Sequence, residues 1–253
     1  MEKESYIVSF RAGSSGRFVA NLLWGLIKPS NHNYNLSEYN STHAFSPYAI
    51  SFEVSTPTEF RPFNNPDIYK HLNFKNYPGV ATVHVYPDFD TINAKFPDTK
   101  IVIISFERKD IPEISGNSLL KNGFEKLKSL DYKPGTDHCT SFIYNQYLLE
   151  FNQPYTGQEI PLDFKKELFK RYQHGFSIDT IMSGFLSPTI PDIDIERTLI
   201  INYHDLCHLP DCTLEKLSQF TNSSINEQVK ELYQQYLLGR ESSIKKHMPW
   251  INL

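Results

Sequence analysis

The chain has 253 residues, of which 40% are hydrophobic, and its formal net charge is −4. This length allows one large α/β domain with a buried core, and the mild acidity argues against a general nucleic-acid or anionic-membrane binder. No apolar run approaches the roughly 20 residues of a membrane span, and the N-terminus lacks an apolar signal core. We therefore expect a soluble, cytoplasmic protein, in the host cytoplasm if the source is viral. The three cysteines form no CxxC pair, so the sequence predicts neither a disulfide framework nor a metal site.

The first predicted unit is a strand, a loop and a helix. Tyr6–Val8 suits a buried strand, Gly13 and Gly16 allow a tight turn, and apolar residues then recur at helical spacing through 18–26. Such a loop directs backbone N–H groups at one spot, and the helix dipole adds positive charge there, so a phosphate or sulfate is the expected ligand. Side-chain donors in or next to the loop are Arg11, Ser14, Ser15 and Arg17.

This loop is not a Walker motif, because no Lys-Ser or Lys-Thr follows Gly16. The alternative is an ordinary strand-to-helix turn in which the glycines serve only packing.

Three further strands are predicted downstream, at Val80–Tyr86, Lys100–Phe106 and Thr198–Tyr203. The helical pattern covers 137–150, 162–173, 176–184, 213–220 and 225–238, whereas 30–79 is mostly loop. This alternation predicts an α/β fold of three layers with a doubly wound, mainly parallel sheet, in a single domain over 1–253. The stretches 30–79 and 120–197 are expected to be insertions, the second helical and irregular.

Ligands of parallel sheets bind outside the carboxyl ends of the strands. Three segments follow such ends and are the candidate ligand loops: Arg11–Gly16, His84–Asp88 and Phe106–Ser118.

Together these segments resemble the sulfotransferases that use 3′-phosphoadenosine 5′-phosphosulfate. Phe10–Gly16 is similar to the family's 5′-phosphosulfate loop, and Thr82–Pro87 is similar to its Lys-Thr-His-x-Pro segment. A strand followed by Arg108 and Ser115, with Ser118 as a substitute, looks like the family's 3′-phosphate grip. The segment Ile201–Leu206 and the helix after it are similar to a structural segment of many members.

The resemblance implies a cytoplasmic sulfotransferase that acts on a hydroxyl or amine acceptor, a small molecule or a glycan. It assigns His84 as general base and Arg11 as the cation that assists catalysis. The co-substrate would be held by Arg11, Ala12, Gly13, Ser14, Ser15, Gly16, Arg17, Arg108, Ser115 and Ser118. It implies no metal, no nucleic acid and no membrane, it leaves a homodimer open, and the two insertions would shape the acceptor site.

Two other functions stay open. One is a nucleotide or small-molecule kinase with an atypical phosphate loop, although the third strand ends in Ser105-Phe106-Glu107 rather than in an aspartate placed for Mg²⁺. The other is a non-catalytic nucleotide-binding or virion-type protein. Gly16 stands where the family has Trp, and the cation before His84 is missing, which favours this option.

Overall fold

A computed structural model describes residues 5–11, 13–27, 79–83, 86–117, 119–120, 124–127, 138–175 and 184–251 of the chain. Nearly all of the predicted loop at 30–79 and of the predicted helix at 176–184 lies outside these residues. So do Ala12, His84 and Ser118, three of the predicted site residues. The single-domain boundary 1–253 stays a prediction.

The strands form one parallel sheet, as the sequence predicts. They are β1 (Ser5–Ser9), β2 (Gly79–Val83), β3 (Thr99–Ser105) and β4 (Thr198–Asn202), in the spatial order β2-β1-β3-β4. Every neighbouring pair is parallel. β1 and β3 are almost wholly buried, which explains why their sequences are apolar without alternation.

Helices flank this sheet and confirm the α/β class. They are α1 (Gly16–Ile27), α2 (Phe89–Lys95), α3 (Ile111–Gly116), α4 (Phe124–Leu127), α5 (His138–Phe151), α6 (Leu162–Gly175), α7 (Tyr203–His208), α8 (Pro210–Thr221) and α9 (Glu227–His247). The chain moves from β1 outward to β2, and then back across β1 to β3. Because parallel crossovers are right-handed, this reversal places α1 and α2 on opposite faces of the sheet, which is the arrangement of a three-layer fold.

The reversal also creates a topological switch point between β1 and β3. In sheets with this strand order, ligands bind in the crevice at the carboxyl ends of the two strands beside the switch point. Ser9 at the end of β1 lies opposite Val83 of β2 and Ile103 of β3, so β3 extends two residues beyond β1 at this edge. The loops after β1 and β3 therefore border the crevice.

Two apolar clusters form the core. The larger one joins the sheet to α1, α8 and the first half of α9, and α1 contacts β1, β2, α8 and α9. The second cluster joins α4, α5 and α6 to Ile244 and Met248 at the end of α9. α9 therefore belongs to both clusters. Of the helices in the described ranges, none combines the length and apolar character that crossing a membrane requires.

Candidate anion-binding site at the end of the first strand

The loop between β1 and α1 has an unusual backbone. Gly13 has φ 94° and Ser15 has φ 65°, whereas Ser14 between them is not in the positive region. Residues of alternating handedness turn successive N–H groups toward one side, as in anion-binding nests. The first bond within α1 runs from the Val19 N–H to the Ser15 carbonyl, 3.2 Å away. The N–H groups of residues 16–18 precede that bond, and they lie at the positive end of a twelve-residue helix.

Hydrogen bonds inside the loop fix its shape. The backbone N–H and the hydroxyl of Ser14 both donate to the Arg11 carbonyl, at 3.0 and 2.7 Å. The Phe10 N–H donates to the Val83 carbonyl at the end of β2, 3.0 Å away, which ties the loop to the residue before His84. Arg11 is buried, and its guanidinium keeps its charge because arginine is not deprotonated in proteins. The loop thus begins with a buried cation.

The Ser15 hydroxyl is held from the far end of the chain. The hydroxyl of Tyr236, in α9, donates to Ser15 Oγ at 2.7 Å. The ring of Tyr236 also stacks on Phe18 in the first turn of α1, with centroids 3.7 Å apart and an interplanar angle of 3°. The Ser14 hydroxyl donates to the Arg11 carbonyl, whereas Ser15 Oγ accepts from Tyr236 and keeps its own proton to donate. In this conformation the backbone N–H groups and the Ser15 hydroxyl are therefore the loop donors available to an anion.

Gly16 is required by packing. A Cβ placed on Gly16 would overlap the ring of Phe10, so the position at which the sulfotransferase motif carries Trp has no room for a side chain. The predicted correspondence at Gly16 can therefore concern the backbone only, and it stays a prediction.

Gly16→Ala is expected to lower the free energy of unfolding by about 1–3 kcal/mol, because the methyl group overpacks against Phe10. Alanine is otherwise the better helix former, so the clash must outweigh the gain in helix propensity. Urea denaturation measures the change. The cost should shrink when Phe10→Leu removes the ring, and an equal cost in both backgrounds would contradict this account.

The second loop brings Arg108 and Ser115 to the same edge of the sheet. Arg108 opens a short 3₁₀ turn, Arg108–Asp110, and is exposed. Ser115 lies in α3 and is buried, and its hydroxyl has no hydrogen-bond partner among the residues that the structure describes. Arg17, the remaining predicted ligand, is half-buried in the first turn of α1. The convergence of these side chains and the first loop on one ligand stays a prediction.

A buried ion pair links this second loop to α9. Glu113 of α3 accepts two hydrogen bonds from Arg240, both of 2.6 Å, in a bidentate arrangement. Its Oε1 also accepts the hydroxyl of Tyr203, at 2.7 Å. The side chains of Glu113 and Arg240 are only 11% and 8% exposed. Such a pair fixes the relative position of two elements more than it stabilises the fold.

The protonation states in this region suit hydrogen bonding. Burial is the largest single influence on the pKa of Arg240 and lowers it, but the hydrogen bond to Glu113 and the charges of neighbouring groups together outweigh burial, so the pKa is raised. Burial raises the pKa of Tyr203 well above its ordinary value, so its hydroxyl keeps the proton that it donates to Glu113. Burial also raises the pKa of the Cys207 thiol to about 12, and its sulfur lies 3.8 Å from the Tyr236 hydroxyl. Cys207 is therefore a neutral thiol at physiological pH.

Sequence reasoning missed the residues that support the site. Glu113 and Tyr236 gave no local signal, because their partners lie 127 and 221 residues away in the chain. Arg240 has no assigned role in the sequence analysis, yet it is a buried residue of α9. In the described part of the chain, no group of three or more His, Cys, Asp and Glu side chains could hold a metal ion.

Comparison with protein-family models and with curated proteins found no match for this chain. What the fold and site define is thus a class: an α/β protein with a four-stranded parallel sheet and a glycine-containing loop at its switch point. The sulfotransferase resemblance stays a prediction.

Proposed function

We propose that the loop Phe10–Gly16 binds the phosphosulfate of 3′-phosphoadenosine 5′-phosphosulfate and that the protein transfers its sulfuryl group to a hydroxyl or amine acceptor. The observation that carries the proposal is the positive φ of Gly13 and Ser15, directly before the N-terminus of α1 and beside the switch point. A non-glycine residue in this backbone region is disfavoured, and such strain concentrates at ligand sites.

Sulfuryl transfer suits a site of this kind. A group with spread negative charge passes in line between two oxygens, so positioning and electrostatic stabilisation supply most of the catalysis. The N–H groups of the loop and the buried charge of Arg11 would stabilise the bridging oxygen as it leaves. His84, which follows the last residue of β2, would accept the proton of the acceptor. Arg108 would bind the 3′-phosphate.

A second candidate is a non-catalytic protein that binds the same nucleotide. The internal bond of the Ser14 hydroxyl favours it, because Ser14 donates to the Arg11 carbonyl and leaves one side-chain donor fewer for a transition state than the sulfotransferase motif implies. Both candidates share the nucleotide, so binding is tested first and turnover second.

Calorimetric titration with adenosine 3′,5′-bisphosphate, the desulfated product, tests the shared part of the proposal. We expect binding in the presence of a chelator and weaker binding of ATP, because protein groups supply the positive field. Arg108→Ala should weaken binding by on the order of 1.5–3 kcal/mol through loss of a charge-assisted hydrogen bond to phosphate. Folding should be unchanged, because Arg108 is exposed.

Lys109→Ala is the matched control. It removes one positive charge from the neighbouring residue, which is exposed and pairs with Glu107 at 2.9 Å. Affinity should stay at the wild-type value. Equal binding of ATP and the bisphosphate, or a requirement for Mg²⁺, would reject the donor and favour the kinase. Equal losses in the two variants would show that only net charge matters.

A further inference from the structure

The long C-terminal helix α9 contacts both loops beside the switch point. Tyr236 bonds to Ser15 in the loop after β1, and Arg240 bonds to Glu113 in the segment after β3. Residues four apart share one face of a helix, so a single face of α9 touches the two walls of the crevice. The spacing between the walls is therefore set by a rigid element far from either loop in sequence.

The contact with Ser15 falls on the strained residue of the loop. A residue with a Cβ disfavours φ 65°, and an outlier of this kind persists only where its surroundings impose it. The Tyr236 hydroxyl donates a hydrogen bond to the Ser15 side chain. The ring stack on Phe18 fixes the hydroxyl relative to the first turn of α1. The Tyr236 side chain thus contacts both the loop and the first turn of α1, the two segments whose N–H groups would face an anion.

We propose that Tyr236 is a positioning residue for anion binding: its hydroxyl holds Ser15 in the left-handed conformation that directs the loop N–H groups at the ligand. This rests on the proposed function in one respect, that the loop binds an anion. A preorganised loop loses less conformational freedom on binding than a loop that must first reach φ 65°. Without the hydroxyl, ordering Ser15 offsets part of the binding free energy, and the affinity is lower.

Tyr236→Phe tests this role, because it removes the hydroxyl and keeps the ring on Phe18. Affinity for adenosine 3′,5′-bisphosphate should fall by roughly 3- to 10-fold, the usual value of one hydrogen bond. Tyr233→Phe is the matched control. Tyr233 lies in the same helix, is also buried, packs its ring edge-on against Phe18, and donates its hydroxyl to the Leu206 carbonyl at 2.7 Å rather than to Ser15. This control should bind like wild type.

A Ser15→Gly background separates positioning from general packing. Glycine adopts a positive φ without a Cβ penalty and has no hydroxyl for Tyr236 to bind. Tyr236→Phe should therefore cause no further loss of affinity in this background. An equal loss in both backgrounds, or a lower melting temperature with unchanged affinity, would make Tyr236 a structural residue and overturn the proposal.

Amide hydrogen exchange of the free protein gives a readout that needs no ligand. Exchange at residues 13–16 should speed up in Tyr236→Phe and stay unchanged in Tyr233→Phe. If the wild type fails to bind the bisphosphate, the proposed function fails, and exchange still decides whether Tyr236 holds the loop. If the wild type binds but Tyr236→Phe changes neither affinity nor exchange, the positioning role alone is overturned.

Discussion

Glu113→Gln is expected to lower the free energy of unfolding by about 3–5 kcal/mol, the usual cost of leaving one partner of a buried ion pair without its counter-charge. The amide retains the shape of the side chain and an acceptor for Tyr203, but Arg240 keeps a positive charge that it cannot release. Urea denaturation of the purified protein measures the change.

Glu241→Gln is the control for this result. Glu241 also forms an ion pair in α9, with Lys245, but both side chains are exposed, and an exposed pair contributes little to stability. We expect no resolvable change. The triple variant Glu113→Leu, Arg240→Met and Tyr203→Phe should recover much of the loss, because apolar residues can replace a buried pair at little cost and Tyr203→Phe removes the hydroxyl that would lose its acceptor. Similar behaviour of Glu113→Gln and Glu241→Gln would contradict the assignment of a buried charge pair.

His84→Ala is expected to reduce sulfate transfer by roughly 10²–10⁴-fold while nucleotide affinity stays within a few-fold of wild type. A general base acts on the acceptor's proton and not on the donor, so binding and turnover should separate. A screen of phenols, sugars and amines first identifies an acceptor. The turnover number for sulfate transfer to this acceptor is then measured at saturating 3′-phosphoadenosine 5′-phosphosulfate. His84 lies outside the described residues, so its role as general base is tested by this experiment alone.

His208→Ala is the matched control for His84→Ala. It removes an exposed imidazole at the end of α7, whose pKa is lowered by partial burial and by the charge of Arg240. Turnover should be unchanged. A His84→Ala variant with wild-type turnover would remove His84 from the mechanism. A wild type that binds the nucleotide tightly yet sulfates no acceptor would favour the non-catalytic protein.

The strands of the sheet could be predicted from the sequence because buried strands consist of continuous apolar segments. The predicted strand Lys100–Phe106 corresponds to Thr99–Ser105, since a continuous apolar run suits a strand covered on both faces. The predicted strand Thr198–Tyr203 ends one residue early, because the Asn202 side chain accepts the His204 N–H and starts α7. A helix cap of this kind depends on one side chain and does not alter the pattern of apolar residues, so that pattern did not predict where the strand ends.

Prediction failed where polar residues are buried against distant partners. The last helix was predicted over 225–238 but extends over Glu227–His247. Its second half buries Arg240, Ser243 and His247, which breaks the apolar pattern used to find it. The predicted second strand includes Tyr86, but Tyr86 lies outside β2, and its hydroxyl bonds to Thr189 more than a hundred residues away. No local pattern encodes such pairs.

The hydrogen bond between Ser15 and Tyr236 joins residues 221 positions apart, so it can form only after Tyr236 has been synthesised. At the ribosome's pace of 5–20 residues per second, roughly 11–44 s separate the translation of these two residues. During that interval the nascent loop lacks the hydroxyl that holds Ser15, and the contact then closes one of the longest loops the chain permits, which slows folding. A chain that terminates before Tyr236 would contain every residue of the loop Phe10–Gly16 and would still lack the hydrogen bond from Tyr236 to Ser15.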